Sequence, residues 1–157
     1  MIVAARLATE AELALVAEMA EAAIAELRPL RGGAVWANTE ARTQPILDGL
    51  RVEAADDDAV VLVGTIDDVA VGYTAAHRQT LHDGTAMARV TDLYVMPAAR
   101  KVGVGEAMIL TVEEWARAHG LVALDSLALP GDRDTKNFFE TFGLVARALE
   151  VHRPIEP

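Results

Sequence analysis

Apolar residues in the segment 10–27 fall at Leu13, Val16, Ala17, Ala20, Ile24 and Leu27, steps of three and four that line one face of a helix. Thr9 followed by Glu12 has the spacing of a reciprocal N-terminal cap, so the helix begins there. Pro29 and Gly32-Gly33 end it. A second helix is predicted over 39–50, with Pro45 arguing for a break inside it. The period then changes. A continuous apolar run at 60–66, two aspartates, and a return over 69–77 predict a β-hairpin. Asp83-Gly84 marks the next turn, and 85–95 reads as a strand closed by Met96-Pro97. Helical spacing resumes over 106–119 through Met108, Ile109, Val112 and Trp115, and His119-Gly120 is a helix C-terminal signature. A strand over 122–129, a short helix over 134–142 and a last strand over 144–153 complete the pattern. With 2–8 as the first strand, the order is β, α, α, three strands, then αβαβ.

At 157 residues this is one domain, 1–157, with no repeat or linker. The abundance of alanine, against three Phe, two Trp and two Tyr, lets layers of helix and sheet approach closely. The absence of cysteine excludes disulfides, thiolate nucleophiles and Cys-based zinc sites. No His pair has helical metal-ligand spacing, so no metal is expected. A net charge of −10 argues against nucleic acid as a partner. It also means that an anionic cofactor must be gripped locally, and that a cationic amine would be favoured as substrate; the plainer reading of the charge is solubility. No basic leader precedes an apolar run, and no stretch approaches the roughly 18 apolar residues that span a bilayer. A cytoplasmic location without a membrane partner is the expectation.

The chemistry concentrates in Arg100-Lys101-Val102-Gly103-Val104-Gly105-Glu106, between a strand and a helix. The first turn of a helix carries unpaired N–H groups and the positive end of its dipole. Glycines there permit positive φ and remove the Cβ that would block a close ligand. Together these make a socket for a pyrophosphate, with Arg100 and Lys101 adding charge at the rim. A P-loop would need Gly-Lys-Ser/Thr, which is absent. The dinucleotide fingerprint would need a third glycine where Met108 stands.

The motif Arg100-x-x-Gly103-x-Gly105, preceded by Leu93-Tyr94-Val95-Met96-Pro97, resembles the pyrophosphate loop of the GNAT superfamily of acyl-CoA N-acyltransferases. Downstream, Phe138-Phe139-Glu140-Thr141-Phe142-Gly143-Leu144 looks like that family's Phe-Tyr-Glu-x-x-Gly-Phe signature. The resemblance covers residues 2 to about 153. It implies an α+β fold with a mixed, mostly antiparallel central sheet of six to seven strands, about four flanking helices and a slot where the fourth and fifth strands splay. It implies acetyl-CoA as donor, its pantetheine bonded by the backbone around Val95 and its pyrophosphate by amides from Val102 to Glu106. A primary amine, small or peptidic, would attack the thioester directly, with the Val95 N–H as oxyanion donor.

Two departures from the family pattern stand out. Phe139 occupies the position of a tyrosine that often protonates the leaving thiolate, and Asp132 stands where an Asn often precedes it. A general base is open as well. Asp92 is one reading, and a structural carboxylate paired to backbone or Arg is the other. Strand alternation puts Asp92 and Tyr94 on one face and Val95 on the other, unless a bulge intervenes. Lys136 could reach a phosphate or be a surface lysine, and Phe139 could pack on the pantetheine. Trp36 reads equally as an acceptor wall or a core anchor, and His119 as a helix cap. Homodimers are common among similar proteins, yet nothing in the sequence identifies an interface. The rival reading is a non-catalytic acyl-CoA-binding or regulatory protein, kept open by Phe139.

Overall fold

Strand β2 (Ala59–Ile66) is apolar along its length because both of its faces are covered. In a computed structural model describing residues 1–157, Val61 and Val63 pack with Tyr73 and Ala75 against one helical layer. Val60 and Leu62 join Ala76 and Val90 on the other face, against Val112. The elements run β1 (Val3–Leu7), a 3-10 turn at Glu10–Glu12, α1 (Leu13–Leu27), α2 (Gly33–Thr39), α3 (Ile46–Ala54) and β2. They continue with β3 (Val69–Thr80), β4 (Ala86–Val95), α4 (Val104–Ala118), β5 (Leu124–Ser126) and α5 (Arg133–Thr141). The sheet has five strands in the order β1-β2-β3-β4-β5, antiparallel except where β4 meets β5.

Helices α1 and α3 cover one face through Leu13, Val16, Met19, Ile46 and Leu50. Helix α4 covers the other, burying Met108, Ile109, Val112 and Ala116. Its first turn comes very close to the sheet at Gly64, where a Cβ would stand 2.5 Å from Val104 Cγ1 and 2.9 Å from Met108 Sδ. That contact seats the start of α4 on the sheet at β2. No helix is long and apolar enough to cross a membrane.

Several expectations need correction. The sheet has five strands rather than six or seven, and five α-helices flank it rather than about four. Residues 144–153 form no strand: apart from the Leu144 N–H, which bonds Phe139 C=O, their backbone makes no main-chain hydrogen bond. β5 is three residues long where 122–129 was expected. Gly32-Gly33 does more than end α1: Gly32, at φ 86°, is the N-cap of α2. The helix expected over 39–50 is two helices. Pro45, with extended backbone, caps α3, and its lack of an N–H costs nothing at a helix start.

Beside the sheet, Asp125 accepts from Arg147 at 2.6 and 2.7 Å and from Arg89 at 2.9 Å. The Arg147 bond, then the charges of Arg147 and Arg89, hold its carboxyl below the ordinary 3.8. A depressed folded-state value means the stabilisation is present above 3.8 and is lost as pH falls through that lower value. Thermal melts across the acid limb therefore have a shallower pH dependence in Asp125→Asn than in the wild type.

Candidate active site

The β4–β5 pairing covers only Ala88↔Leu124, Arg89↔Asp125 and Val90↔Ser126. Ser126 Oγ closes the last rung by donating to Val90 C=O at 2.9 Å. β5 then ends while β4 continues to Val95, so residues 91–95 have no strand on that side. A cavity of about 70 Å³ fills the gap, walled by Thr91 and Leu93 of β4, Leu127 and Leu129 beyond β5, and Phe139 of α5. Tyr73, Asp92 and Arg42 border it from the sheet and the α2–α3 loop, and Trp36 and Glu40 from the α2 end.

Val95 sits at the open end of this slot. The Met96 N–H donates to Val71 C=O at 2.8 Å, and neighbouring residues in an antiparallel ladder point their polar groups to opposite sides. The Val95 N–H and C=O therefore face away from β3, towards the slot. The C=O accepts from Arg100 Nε at 2.8 Å.

The loop after β4 is built as a string of donors. Lys101 at φ 66° and Gly103 at φ 100° both take left-handed backbone, and Gly103 is the N-cap of α4. The first loop or helix amide beyond Arg100 that finds a protein acceptor is Ala107, bonded to Gly103 C=O at 3.0 Å. The six amides from Lys101 to Glu106 donate to nothing within the protein. A Cβ on Gly103 would approach only Val3, at 4.0 Å, so the space over it is open. A Cβ on Gly105 would stand 3.1 Å from the Phe138 ring, which seats α5 against the first turn of α4.

The family model for the acetyltransferase (GNAT) family matches residues 17–144, most of the chain and all of the slot and donor loop. The chain belongs to the GNAT acetyltransferase family. No curated protein matches it by sequence. Solved structures share the fold. An aminoglycoside acetyltransferase, HMB0005, from an uncultured soil metagenomic sample is 19% identical over 99% of this chain and 100% of its own, with a TM-score of 0.70. AAC(6')-Iy, in complex with a bisubstrate analogue of CoA and acetylneamine, is 15% identical over 100% of both chains at 0.76. The ribosomal-protein-alanine N-acetyltransferase of Brucella melitensis biovar Abortus 2308 is 17% identical over 98% of this chain and 100% of its own, at 0.69.

Within this GNAT site the side chains divide into committed and free groups. Asp92 is committed. Its Oδ1 accepts from Arg42 at 3.1 Å and Thr91 Oγ1 at 2.6 Å, and its Oδ2 from Arg42 Nε at 2.8 Å and Tyr73 OH at 2.6 Å. Four donors occupy the four lone-pair directions of a carboxylate, leaving none for a substrate proton. Arg42 also bonds Glu53. Burial, then the Asp92 charge and bond, hold the Tyr73 phenol well above its usual value, so it stays a donor. Asp92 reaches Tyr73 because β4 carries a bulge. Ala75 faces Asp92 and Ala76 faces Val90, leaving Thr91 as an extra residue. Val90 packs towards α4; the insertion turns Asp92 to the opposite face, where Tyr94 packs beside it.

Arg100 is committed too. Rather than lining the rim, its guanidinium forks onto Glu26 of α1 at 2.9 and 2.8 Å and lies 5.5 Å from the Tyr94 ring centre. That Glu26 bond raises its pKa. Lys101 is exposed and makes no ion pair, whereas Lys136 on α5 pairs with Glu140 at 3.1 Å. Phe139 is buried with its ring on the slot, and Asp132 caps α5 through the Thr135 N–H at 3.3 Å. His119 caps α4, its Nδ1 2.8 Å from Trp115 C=O. Arg42, Glu53 and Tyr73 carried no signal in the sequence, being 19 to 50 residues from Asp92.

Proposed function

We propose that this protein transfers the acetyl group of acetyl-CoA to a primary amine by direct attack on the thioester. The observation that carries the reading is the run of six unengaged amides from Lys101 to Glu106, opening beside a slot whose wall presents the Val95 N–H. Those amides hold the pyrophosphate, with Lys101 adding charge, and Arg100 supports the site by tying β4 to α1. The pantetheine follows the slot past Phe139. The amine nitrogen forms a bond to the thioester carbon, the C–S bond breaks, and the proton lost by the amine ends on the CoA thiol. The Val95 N–H steadies the carbonyl oxygen as it gains charge. Binding both reactants in one slot supplies much of the acceleration.

The acceptor side favours a cationic, hydrogen-bonding amine. Glu40 and Asp132 border the slot there, and a wider groove beyond Arg42 is lined by Glu21, Asn38, Thr39 and Gln44. With Asp92 saturated, water bordered by Glu40 and Asp132 takes the ammonium proton. The test is a scan of amines with acetyl-CoA, following released thiol; a chain without cysteine contributes no thiol of its own. Turnover on amines, absent with neutral alcohols, is expected. Tight acetyl-CoA binding with no turnover on any amine would instead favour the non-catalytic reading, which Phe139 and the occupied Asp92 support.

Phe139→Tyr places a hydroxyl on the slot wall. The expected result is a higher kcat with KM for acetyl-CoA little changed, read in the same thiol assay. An unchanged kcat means that the thiolate leaves without a protein acid.

A further inference from the structure

Helix α1 presents two neighbouring stripes to two spaces. Ala20, Ala23, Ile24 and Leu27 line the slot. Glu21, Ile24, Ala25 and Arg28, one position further round, line the groove beyond Arg42, which holds about 600 Å³ against about 70 Å³ for the slot. Ile24, Ala41 and Arg42 belong to both walls, so the two spaces adjoin. An acceptor with its amine in the slot therefore has its far end in the groove, beside the second stripe.

The charges left free decide what that end meets. Seven of the chain's twelve arginines pair with a carboxylate, as its excess of acid brings about. Arg42 is one of them, held by Asp92 and Glu53. Of the five that do not pair, Arg28 alone lines either space. Its guanidinium is exposed and makes neither an ion pair nor a hydrogen bond. Glu21 on the same stripe stands two turns back, about 10 Å along the helix axis. Its carboxylate accepts from Gln44 Nε2 at 3.2 Å instead. A free guanidinium receives a planar carboxylate through two parallel bonds. One such group matches a singly charged carboxylate, whereas a phosphate dianion would bring uncompensated charge to a chain of −10. At the slot end the sign reverses, since Glu40 and Asp132 border it.

We infer that the acceptor is an aminocarboxylate, its amine entering the slot and its carboxylate held in the groove by Arg28. The inference names the substrate class of the acetyl-transfer reading and rests on that reading. It makes Arg28 a determinant of acceptor choice, with no part in the bond-making step.

The test holds the amine constant and changes only the far end, comparing 4-aminobutanoate and 6-aminohexanoate with their amides in the thiol-release assay. The wild type prefers the acid over its amide by about tenfold or more in kcat/KM at one of the two lengths, the effect of a charge-assisted pair. Arg28→Gln brings that ratio close to one through KM, and Arg28→Lys, which keeps the charge without the fork, retains part of it. Arg117→Gln removes the same charge from α4, on the other face of the sheet, and leaves the ratio as it was. Amides turned over as well as acids overturn the inference and leave acetyl transfer standing. So does a preference for the acid that survives Arg28→Gln. If no compound is turned over, the acetyl-transfer reading fails, and calorimetric titration of 6-aminohexanoate in the presence of coenzyme A decides on the carboxylate site alone. Binding weakened about tenfold by Arg28→Gln supports the site; no binding, or binding indifferent to Arg28, overturns it.

Discussion

Gly103→Asp abolishes measurable acetyl-CoA binding while the protein still melts cooperatively. The substituted carboxylate stands over the amides of Lys101 to Glu106, which have no partner inside the protein. It takes up their donors and repels the diphosphate. Hydrogen bonds to a charged group contribute about 1.5–3 kcal/mol each, so losing two weakens binding about 10²- to 10⁴-fold. Gly103 sits at φ 100°, which strains any side chain, so part of any effect is conformational. Gly103→Asn separates the contributions, because Asn tolerates positive φ better than most residues and is neutral. Isothermal titration of the pair has Asn weakening binding much less than Asp. Equal losses would mean that backbone strain, rather than charge, is being read.

Arg42→Ala causes the largest loss of stability of any single side-chain truncation around the slot. Arg42 and Asp92 are 13% and 12% exposed and Glu53 is 25% exposed, so removing the guanidinium leaves two carboxylates facing each other with little water. Breaking such a pair costs about 3–5 kcal/mol. For a domain of this size that lowers Tm by about 6–20 °C. In a double-mutant cycle, Asp92→Asn recovers part of the loss, since it removes one orphaned charge. Additive effects would show that Arg42 acts through packing alone. The same network fixes the α2–α3 loop, which begins at Glu40 and follows the helix that carries Trp36, so the KM for the amine rises more than the KM for acetyl-CoA.

Local features were legible in the sequence. The α1 and α4 faces, the β2–β3 hairpin and the donor loop follow from side-chain period and turn chemistry, which neighbouring residues determine together. The Thr91 bulge was not legible, because it exists only in the register between β3 and β4. Without it, alternation still paired Asp92 with Tyr94, but it could not say that both face away from Val90. The Arg42–Asp92 contact joins residues 50 apart, and no local pattern encodes it. Arg100 was expected at the phosphate rim for its charge and position in the motif; its guanidinium is engaged by Glu26, 74 residues earlier in the chain. The strand expected over 144–153 has strand composition, but pairing depends on tertiary placement, and in this fold its backbone beyond Leu144 pairs with no other strand.

Backbone amide resonances followed as coenzyme A is added report directly on whether the loop before α4 grips the diphosphate. The N–H signals of Val102 to Glu106 should move downfield together, saturating with the same dissociation constant as heat release. If those signals stay still while another surface responds, the diphosphate is bound elsewhere and the loop from Lys101 to Glu106 is not its site.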